Sequence, residues 1–305
     1  MIINKAYVST IQNGVDLSKF ESDLKDHIFK PCEKSSAFSS GWVPVIRNSD
    51  CYLLQSHGCG LFRFCIETRK VDSSVLSEEL AVKISNIELQ EGRTVGRKEK
   101  REIREDLETS LLPSMHSKKA YIYCFVDTIS SLLVLGTTNA SQIEKIIFYL
   151  VETFGDSLGI RPLAPQASPS KILTDWILNN EAPASLEILN QCDVAESSED
   201  KASVSFKNIE PFSSEVTTFL NQGFQVKSVA VSWADRLSIK LSDDLMFRNI
   251  TYGDSLKETA FHDSEGGEMA DLDAMFAITS LTLREFLSSY FKWFDIATPQ
   301  YDQEA

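Results

Sequence analysis

Nowhere in the 305 residues does an apolar run approach the roughly 18 consecutive positions that a membrane-spanning helix needs. The opening Met1-Ile2-Ile3-Asn4-Lys5 lacks the layout of a secretory signal, so a cytoplasmic protein is expected. Several catalytic motifs are missing too. No G-x-x-x-x-G-K-S/T loop cradles a phosphate, and nothing suggests an ATP-driven recombinase. Neither H-E-x-x-H nor G-x-S-x-G occurs, which removes two common hydrolase designs. The six cysteines contain no C-x-x-C pair. Cys51, Cys65 and Cys124 lie in apolar stretches, where a cysteine is usually a small buried hydrophobe. His57, Cys59 and Cys65 have no evident fourth ligand for a zinc ion, and disulfides are not expected in the cytoplasm. No metal and no cofactor is therefore expected.

Positive charge is also scarce. Lysine and arginine number 30 against 44 acids, a net charge of −14. The chain is 43% hydrophobic and 24% charged, which fits a globular protein with a real core. Its length suggests about two domains.

Against that acidic background stands one basic run: Arg93, Arg97, Lys98, Lys100, Arg101 and Arg104. At about 100° per residue, Arg97, Lys100, Arg101 and Arg104 fall within one arc of roughly 100° on a helix. Glu99, Glu102 and Asp106 fall opposite, with Ile103, Leu107 and Leu111 on the flank between. Like charges at i,i+4, as in Arg97–Arg101 and Lys100–Arg104, disfavour a helix slightly. A stripe that keeps its signs apart suggests a polyanion, and nucleic acid is the obvious one. The acidic total does not oppose this, because affinity follows the local charge facing the phosphates.

Next to this run lie Ser110-Leu111-Leu112-Pro113 and Ser117-Lys118-Lys119-Ala120-Tyr121-Ile122-Tyr123-Cys124-Phe125-Val126-Asp127-Thr128. Gly41-Trp42-Val43-Pro44 precedes them. Leu173-Thr174-Asp175-Trp176, Trp233-Ala234-Asp235-Arg236-Leu237 and Asp271-Leu272-Asp273-Ala274-Met275-Phe276 follow. In this order, over nearly the whole chain, the landmarks resemble those of RdgC, a family of bacterial recombination-associated DNA-binding proteins. The resemblance implies an α+β protein whose homodimer closes head-to-head and tail-to-tail into a ring around duplex DNA. It also implies binding without marked sequence preference, restraint of RecA-driven strand exchange, and a nucleoid-associated location. Single-stranded DNA is a further candidate partner. The resemblance adds Lys207 and Arg248 to the DNA-binding candidates, although their neighbours Asn208, Ile209, Asn249 and Thr251 depart from the basic clusters of relatives. Lys118 and Lys119 follow the basic helix directly and join the list. Relatives often carry an aromatic after the Leu-Leu-Pro element at a subunit contact. Here Leu112, Met115 and His116 take that place as dimer-interface candidates.

The expected organisation is an N-terminal α+β domain over 1–165, with a helical excursion at about 74–117, and a C-terminal α+β domain over 166–305. The sheets are expected to be mixed or antiparallel. Strands are expected at Tyr7-Val8, Cys51–Leu54, Leu61–Ile66, Tyr121–Val126, Leu132–Leu135, Phe224–Val231, Leu237–Leu241 and Met275–Ile278. Helices are expected at Leu17–His27, Val75–Leu89, from Arg97 to Leu112 where Pro113 stops it, at Ile143–Val151, Ile172–Leu178, Ala184–Leu189, Ser213–Leu220 and Leu281–Trp293. The hairpin turn falls at His57-Gly58-Cys59-Gly60. The alternation of Phe224–Val231 slips at Ser228 as at a bulge. Residues 161–170 read as a linker, 193–202 as an exposed acidic loop, and the tail beyond Ala297 as frayed.

Two other classes of function are open. One is an interaction module whose basic helix docks an acidic partner. The other is a metal-dependent nuclease, for which Asp243-Asp244 and Asp271/Asp273 are candidates by residue type only. Their spacing alone does not make them converge, and no catalysis is expected. Phe62, Phe64, Tyr121, Tyr123 and Phe125 alternate as core or sheet-face residues do. The four tryptophans read as core or interface anchors.

Overall fold

The computed structural model describes residues 2–12, 15–196, 202–262 and 266–297. Strand β1 (Tyr7–Ile11) is followed by α1 (Leu17–Asp26), β2 (Phe38–Val43), β3 (Leu54–Ser56) and β4 (Cys59–Arg69). Helices α2 (Ser73–Glu91) and α3 (Arg97–Leu111) precede β5 (Ser117–Asp127), β6 (Leu132–Leu135), α4 (Ala140–Phe154) and β7 (Ile160–Pro162). Then come α5 (Pro169–Leu178), β8 (Leu186–Glu196), β9 (Ser203–Lys207), α6 (Ser214–Asn221), β10 (Phe224–Trp233), β11 (Leu237–Ser242) and β12 (Arg248–Tyr252). Helices α7 (Asp254–His262) and α8 (Glu268–Trp293) close the order. The class is α+β with antiparallel sheets. The exposed loop expected over 193–202 is instead the end of β8 at 193–196, where Val194 and Ala195 are buried; 197–201 and the tail beyond Ala297 lie outside the described residues.

The chain forms two compact units that are not consecutive in sequence. The first holds residues 1–26, 44–63 and 122–305, and the second 27–43 and 64–121. Strands β4 and β5 each contribute one half to each unit.

The first unit contains two sheets. In one, β4, β5, β6, β1 and β7 lie side by side, with β3 paired to β4. The other has the order β12-β11-β10-β8-β9. The two touch through Ala6 and Phe247, whose amides and carbonyls exchange hydrogen bonds of 2.8 and 2.9 Å. Helix α8 serves both. Phe276 meets Phe125 edge-on at 5.7 Å, while Phe286 meets Trp233 at 5.7 Å and Phe247 at 5.9 Å. The buried positions of α8 recur at helical spacing over about half its circumference, but polar Thr279, Ser280 and Thr282 sit among the apolar ones and weaken the apolar stripe. That explains one error of the sequence reading. Met275–Ile278, expected as a strand, lies inside this buried helix. Ala184–Leu189, expected as a helix, instead enters β8, where Leu186 pairs with Trp233 and Ile188 with Val231. Sheet packing outweighs the helical preference of that stretch. Cys51–Leu54 contributes only its last residue to a strand, since the ladder runs from Leu54 to Ser56 against Leu61 to Cys59. The sequence reading gave no strand at β2 and no helix at α7. The slip expected near Ser228 is present as a register shift between Val226 and Ser228.

In the second unit, β2 pairs with the later half of β4 and the early half of β5 lies beyond it. Trp42 packs on Phe64 at 4.7 Å. A side chain at Gly41 would meet the Phe29 backbone at 2.6 Å, so glycine is what lets segment 28–37 cross this sheet. Helices α2 and α3 share a small core of Val71, Leu76, Leu80, Ile103 and Leu107. The turn between them begins at Gly92, in the left-handed region at φ 66°, where glycine carries no Cβ penalty.

One buried ion pair stands out in the first unit. Arg284 Nε donates to Asp127 Oδ2 at 2.7 Å and its Nη2 to Oδ1 at 2.9 Å. Nη2 also donates to the His57 carbonyl at 2.8 Å and approaches Cys59 Sγ at 3.1 Å. The amides of Ile129 and Ser130 donate to Asp127 Oδ1 at 2.9 and 3.1 Å. Removing one partner of such a pair leaves an uncompensated buried charge and costs about 3–5 kcal/mol. Asp127→Ala and Arg284→Ala should each lower the urea midpoint correspondingly. The double variant Asp127→Leu/Arg284→Met should lose less than either single one. A double variant as unstable as the sum of the two would refute the coupling.

Candidate nucleic-acid interface

The basic positions divide between the two units. In the second, Arg97, Lys98, Lys100, Arg101 and Arg104 are all exposed on α3, while Ile103 and Leu107 turn inward. Arg97, Arg101 and Arg104 recur at helical spacing and line one face. Two differences from the sequence reading appear. Glu108 continues the same line after Arg104, so the arc ends in an acid. Lys98 and Arg101 also reach Glu102 and Glu105 one turn on, at 3.9 and 3.8 Å, so the signs interleave in part. These contacts are long, and Lys98 and Arg101 remain 84% and 71% exposed, so they restrain the cations little.

Arg93 is not on the helix. It sits in the preceding turn, where its Nη1 and Nη2 grip Glu99 at 2.7 Å each and its Nε grips Glu91 at 2.7 Å. The Glu99 hydrogen bonds, with those of Glu91, push its pKa up and hold its charge against these two carboxylates. Lys118 and Lys119 are exposed on β5, and Lys119 Nζ lies 4.9 Å over the Phe29 ring. Leu112 and Met115 are half-buried against the small α2–α3 core, and His116 is exposed.

In the first unit, Lys207 and Arg248 lie on the opposite edge strands of the five-stranded sheet, β9 and β12. Lys207 is exposed and pairs across the ladder with Gln191. Arg248 is half-buried. Its guanidinium clamps Asp244 at 2.9 and 2.6 Å and donates to Ser242 Oγ at 2.7 Å. Between these edges the register assembles a polar sheet face that the sequence reading did not name. Lys240 stands opposite Arg248 and Ala230, Ser242 opposite Ser228, and Ser238 opposite Thr251 and Ser232. The alternation of Leu237, Ile239 and Leu241 with Ser238, Lys240 and Ser242 was the signal for it. Several cations on or beside this sheet are closely paired. Lys240 holds Asp193 at 2.5 Å, Lys227 holds Asp243 at 3.0 Å, and Arg236 bonds to Glu285.

The carboxylates considered for metal chemistry are therefore engaged or apart. Asp243 and Asp244 are tied to Lys227 and Arg248. Asp271 and Asp273 are two positions apart on α8, which places them near opposite sides of it. Among the described residues, no cluster of three or more His, Cys, Asp or Glu residues could hold a metal ion. Cys59 and Cys192 are buried thiols, and burial pushes them up to about 11 and about 12. No helix among the described residues is long and apolar enough to cross a membrane.

A family model described as "Putative exonuclease, RdgC" matches residues 1–297. Similar relatives carry the name recombination-associated protein RdgC. One from Pseudomonas aeruginosa is 28% identical over 280 residues, covering 91% of each chain. One from Pseudoalteromonas atlantica is 27% identical over 288 residues, covering 93% of this chain and 94% of its own. One from Dechloromonas aromatica is 28% identical over 278 residues, covering 90% of each.

The polar face carries its own acid sensitivity. Burial raises the Asp193 pKa, but hydrogen bonds from Lys240, Ser228 and Ser205 outweigh it and the net shift is downward. A carboxylate held below its ordinary value of about 3.9 contributes stability above that pH and loses it as pH falls through the folded value. The urea midpoint should therefore drop below about pH 4. In Lys240→Met, Asp193 loses its largest lowering partner, so the downward shift shrinks and the loss of stability below about pH 4 should be smaller than in wild type. An unchanged acid limb would show that this pair does not govern it.

Proposed function

The chain belongs to the RdgC family, and on that premise we propose that it binds duplex DNA without sequence preference as a ring-shaped homodimer. By holding the duplex it restrains RecA-driven strand exchange at the nucleoid. The observation that carries the reading is the contrast in pairing. Lys227, Lys240, Arg236, Arg248 and Arg284 are held closely by carboxylates, whereas the α3 cations stand in solvent with only loose partners. Phosphates gain most from cations that need not leave a buried partner first. Arg97, Lys98, Lys100, Arg101 and Arg104 form the principal contact surface, with Lys118 and Lys119 in the same unit. Lys207 contributes from the first unit, and Arg93 and Arg248 only if their carboxylates release them.

Reversing Arg97, Lys100, Arg101 and Arg104 to Glu should abolish duplex binding while fold and self-association persist, because the inward positions Ile103 and Leu107 are untouched. In wild type, log K should fall with log salt by about 0.9 per phosphate neutralised, a slope of at least about 3 in magnitude. Reversing four exposed lysines of the first unit, Lys5, Lys19, Lys171 and Lys292, to Glu changes the net charge equally and controls for bulk charge. Equal loss in both variants, or a flat salt response, would remove the assignment.

A ring needs two different isologous contacts. One is assigned to Leu112, Met115 and His116. The exposed apolar residues Val82 and Leu89 on α2, 54% and 80% accessible, also suit a surface that becomes covered. A solution mass of one protomer at micromolar concentration would refute closure. The family description raises nuclease chemistry as an alternative, and we propose that none occurs here. Asp243 and Asp244 are already neutralised by Lys227 and Arg248. DNA incubated with Mg²⁺ or Mn²⁺ should stay intact. Cleavage that disappears in Asp243→Asn/Asp244→Asn would establish the alternative.

A further inference from the structure

We propose that the second unit carries a nucleotide site apart from the α3 stripe, which recognises a nucleoside bearing a terminal phosphate. A groove of about 560 Å³ opens where the end of β4, the first turn of α2 and the approach to β5 meet. Lys70 and Lys118 line it with the Thr68 hydroxyl and the His116 ring, and Val75 and Met115 supply an apolar wall. Asp72 and Ser114 complete the lining.

Three features select the ligand. Lys70 and Lys118 are exposed and, among the described residues, make no ion pair, even with Asp72 in the same groove. Two unneutralised ammonium groups beside a hydroxyl suit a phosphate dianion. The apolar wall suits a planar base or a sugar face, which inorganic phosphate would leave uncovered. The volume lies within the range of about 300–1,000 Å³ usual for small-ligand sites and is ample for one nucleotide. A free nucleoside monophosphate and the 5′-phosphorylated end of a DNA strand present the same chemistry. Arg97, Arg101 and Arg104 do not line the groove, so its occupancy does not depend on duplex binding by α3.

The test is fluorescence anisotropy with a short labelled single strand, either 5′-phosphorylated or 5′-hydroxyl, competed by dTMP or thymidine. The groove shares Met115 and His116 with the proposed self-contact. The titration therefore spans the concentration at which solution mass changes, and binding must appear on at least one side of it. The phosphorylated strand should bind more tightly than the hydroxyl strand, or dTMP should bind where thymidine does not. The first outcome identifies a strand end as the source and the second a free nucleotide. Lys70→Gln/Lys118→Gln should weaken that phosphate-dependent binding by at least about tenfold. Its melting temperature should stay unchanged, and Thr68→Val serves as an independent variant should the double substitution impair folding. The α3 quadruple Glu variant should keep the phosphate preference even as it loses duplex binding, which separates failure of this site from failure of the duplex reading. No phosphate preference in either assay, thymidine competing as well as dTMP, or groove variants that bind like wild type would overturn the proposal.

Discussion

The Asp127–Arg284 pair is the constraint on which the first unit depends. Its side chains come from segments more than 150 positions apart, and it closes onto the His57 carbonyl as well. The Asp127 side chain is only 2% exposed and that of Arg284 17%. A charge pair at that depth is not a strong source of net stability, because desolvation opposes the Coulomb gain. Its effect is on specificity. Asp127 Oδ1 accepts from Ile129, Ser130 and Arg284 together, and Arg284 reaches three different acceptors. Any shift of α8 along its axis would leave several of these groups unpartnered at once. The aromatic contacts of Phe276 and Phe286 with the two sheets can then form in one register only.

The same logic organises the remaining charge. Lys240, Lys227, Arg236 and Arg248 are drawn to acids along or beside the five-stranded sheet. The second unit leaves most of its lysines and arginines in water, apart from Arg93, locked to Glu91 and Glu99, and the buried Arg69, which donates to the Glu33 and Lys34 carbonyls. Accessible positive potential is thus concentrated on α3 and the early part of β5, against a net charge of −14 over the whole chain. Random adhesion to polyanions is weakened by the surrounding acids, while a ligand that reaches this surface meets cations with few competitors.

Much of this was legible in the sequence, for identifiable reasons. The amphipathic segments gave α3 and α4, where Ile103 and Leu107, or Ile143, Ile146 and Leu150, mark one inward stripe. Alternation gave β11, and a phase slip gave the irregularity beside Ser228. What failed lacked such a stripe. In α8, Thr279 and Ser280 interrupt the apolar stripe, so the four residues Met275–Ile278 carried too little of the helical period to be told from a strand. Leu186–Leu189 has a helical composition but is claimed by its ladder partners in β10. Of the candidate contact residues, the exposure of α3 followed from its pattern. The clamps on Arg93 and Arg248 did not, because Glu99 and Asp244 become partners only through turn geometry. The polar sheet face was hidden for a similar reason, since cross-strand neighbours such as Lys240 and Arg248 depend on register.

The thin core beneath α2 and α3 has a further implication. Only Val71, Leu76, Leu80, Ile103 and Leu107 are fully buried there, under a 19-residue helix and a 15-residue one. A segment with so few buried side chains opens at a lower free energy than the aromatic interior around α8. Its amides will exchange with solvent, and its backbone will become available to proteases, while the rest of the protein is intact. The phosphate contact proposed for α3 would then be limited by local opening of this unit rather than by global unfolding.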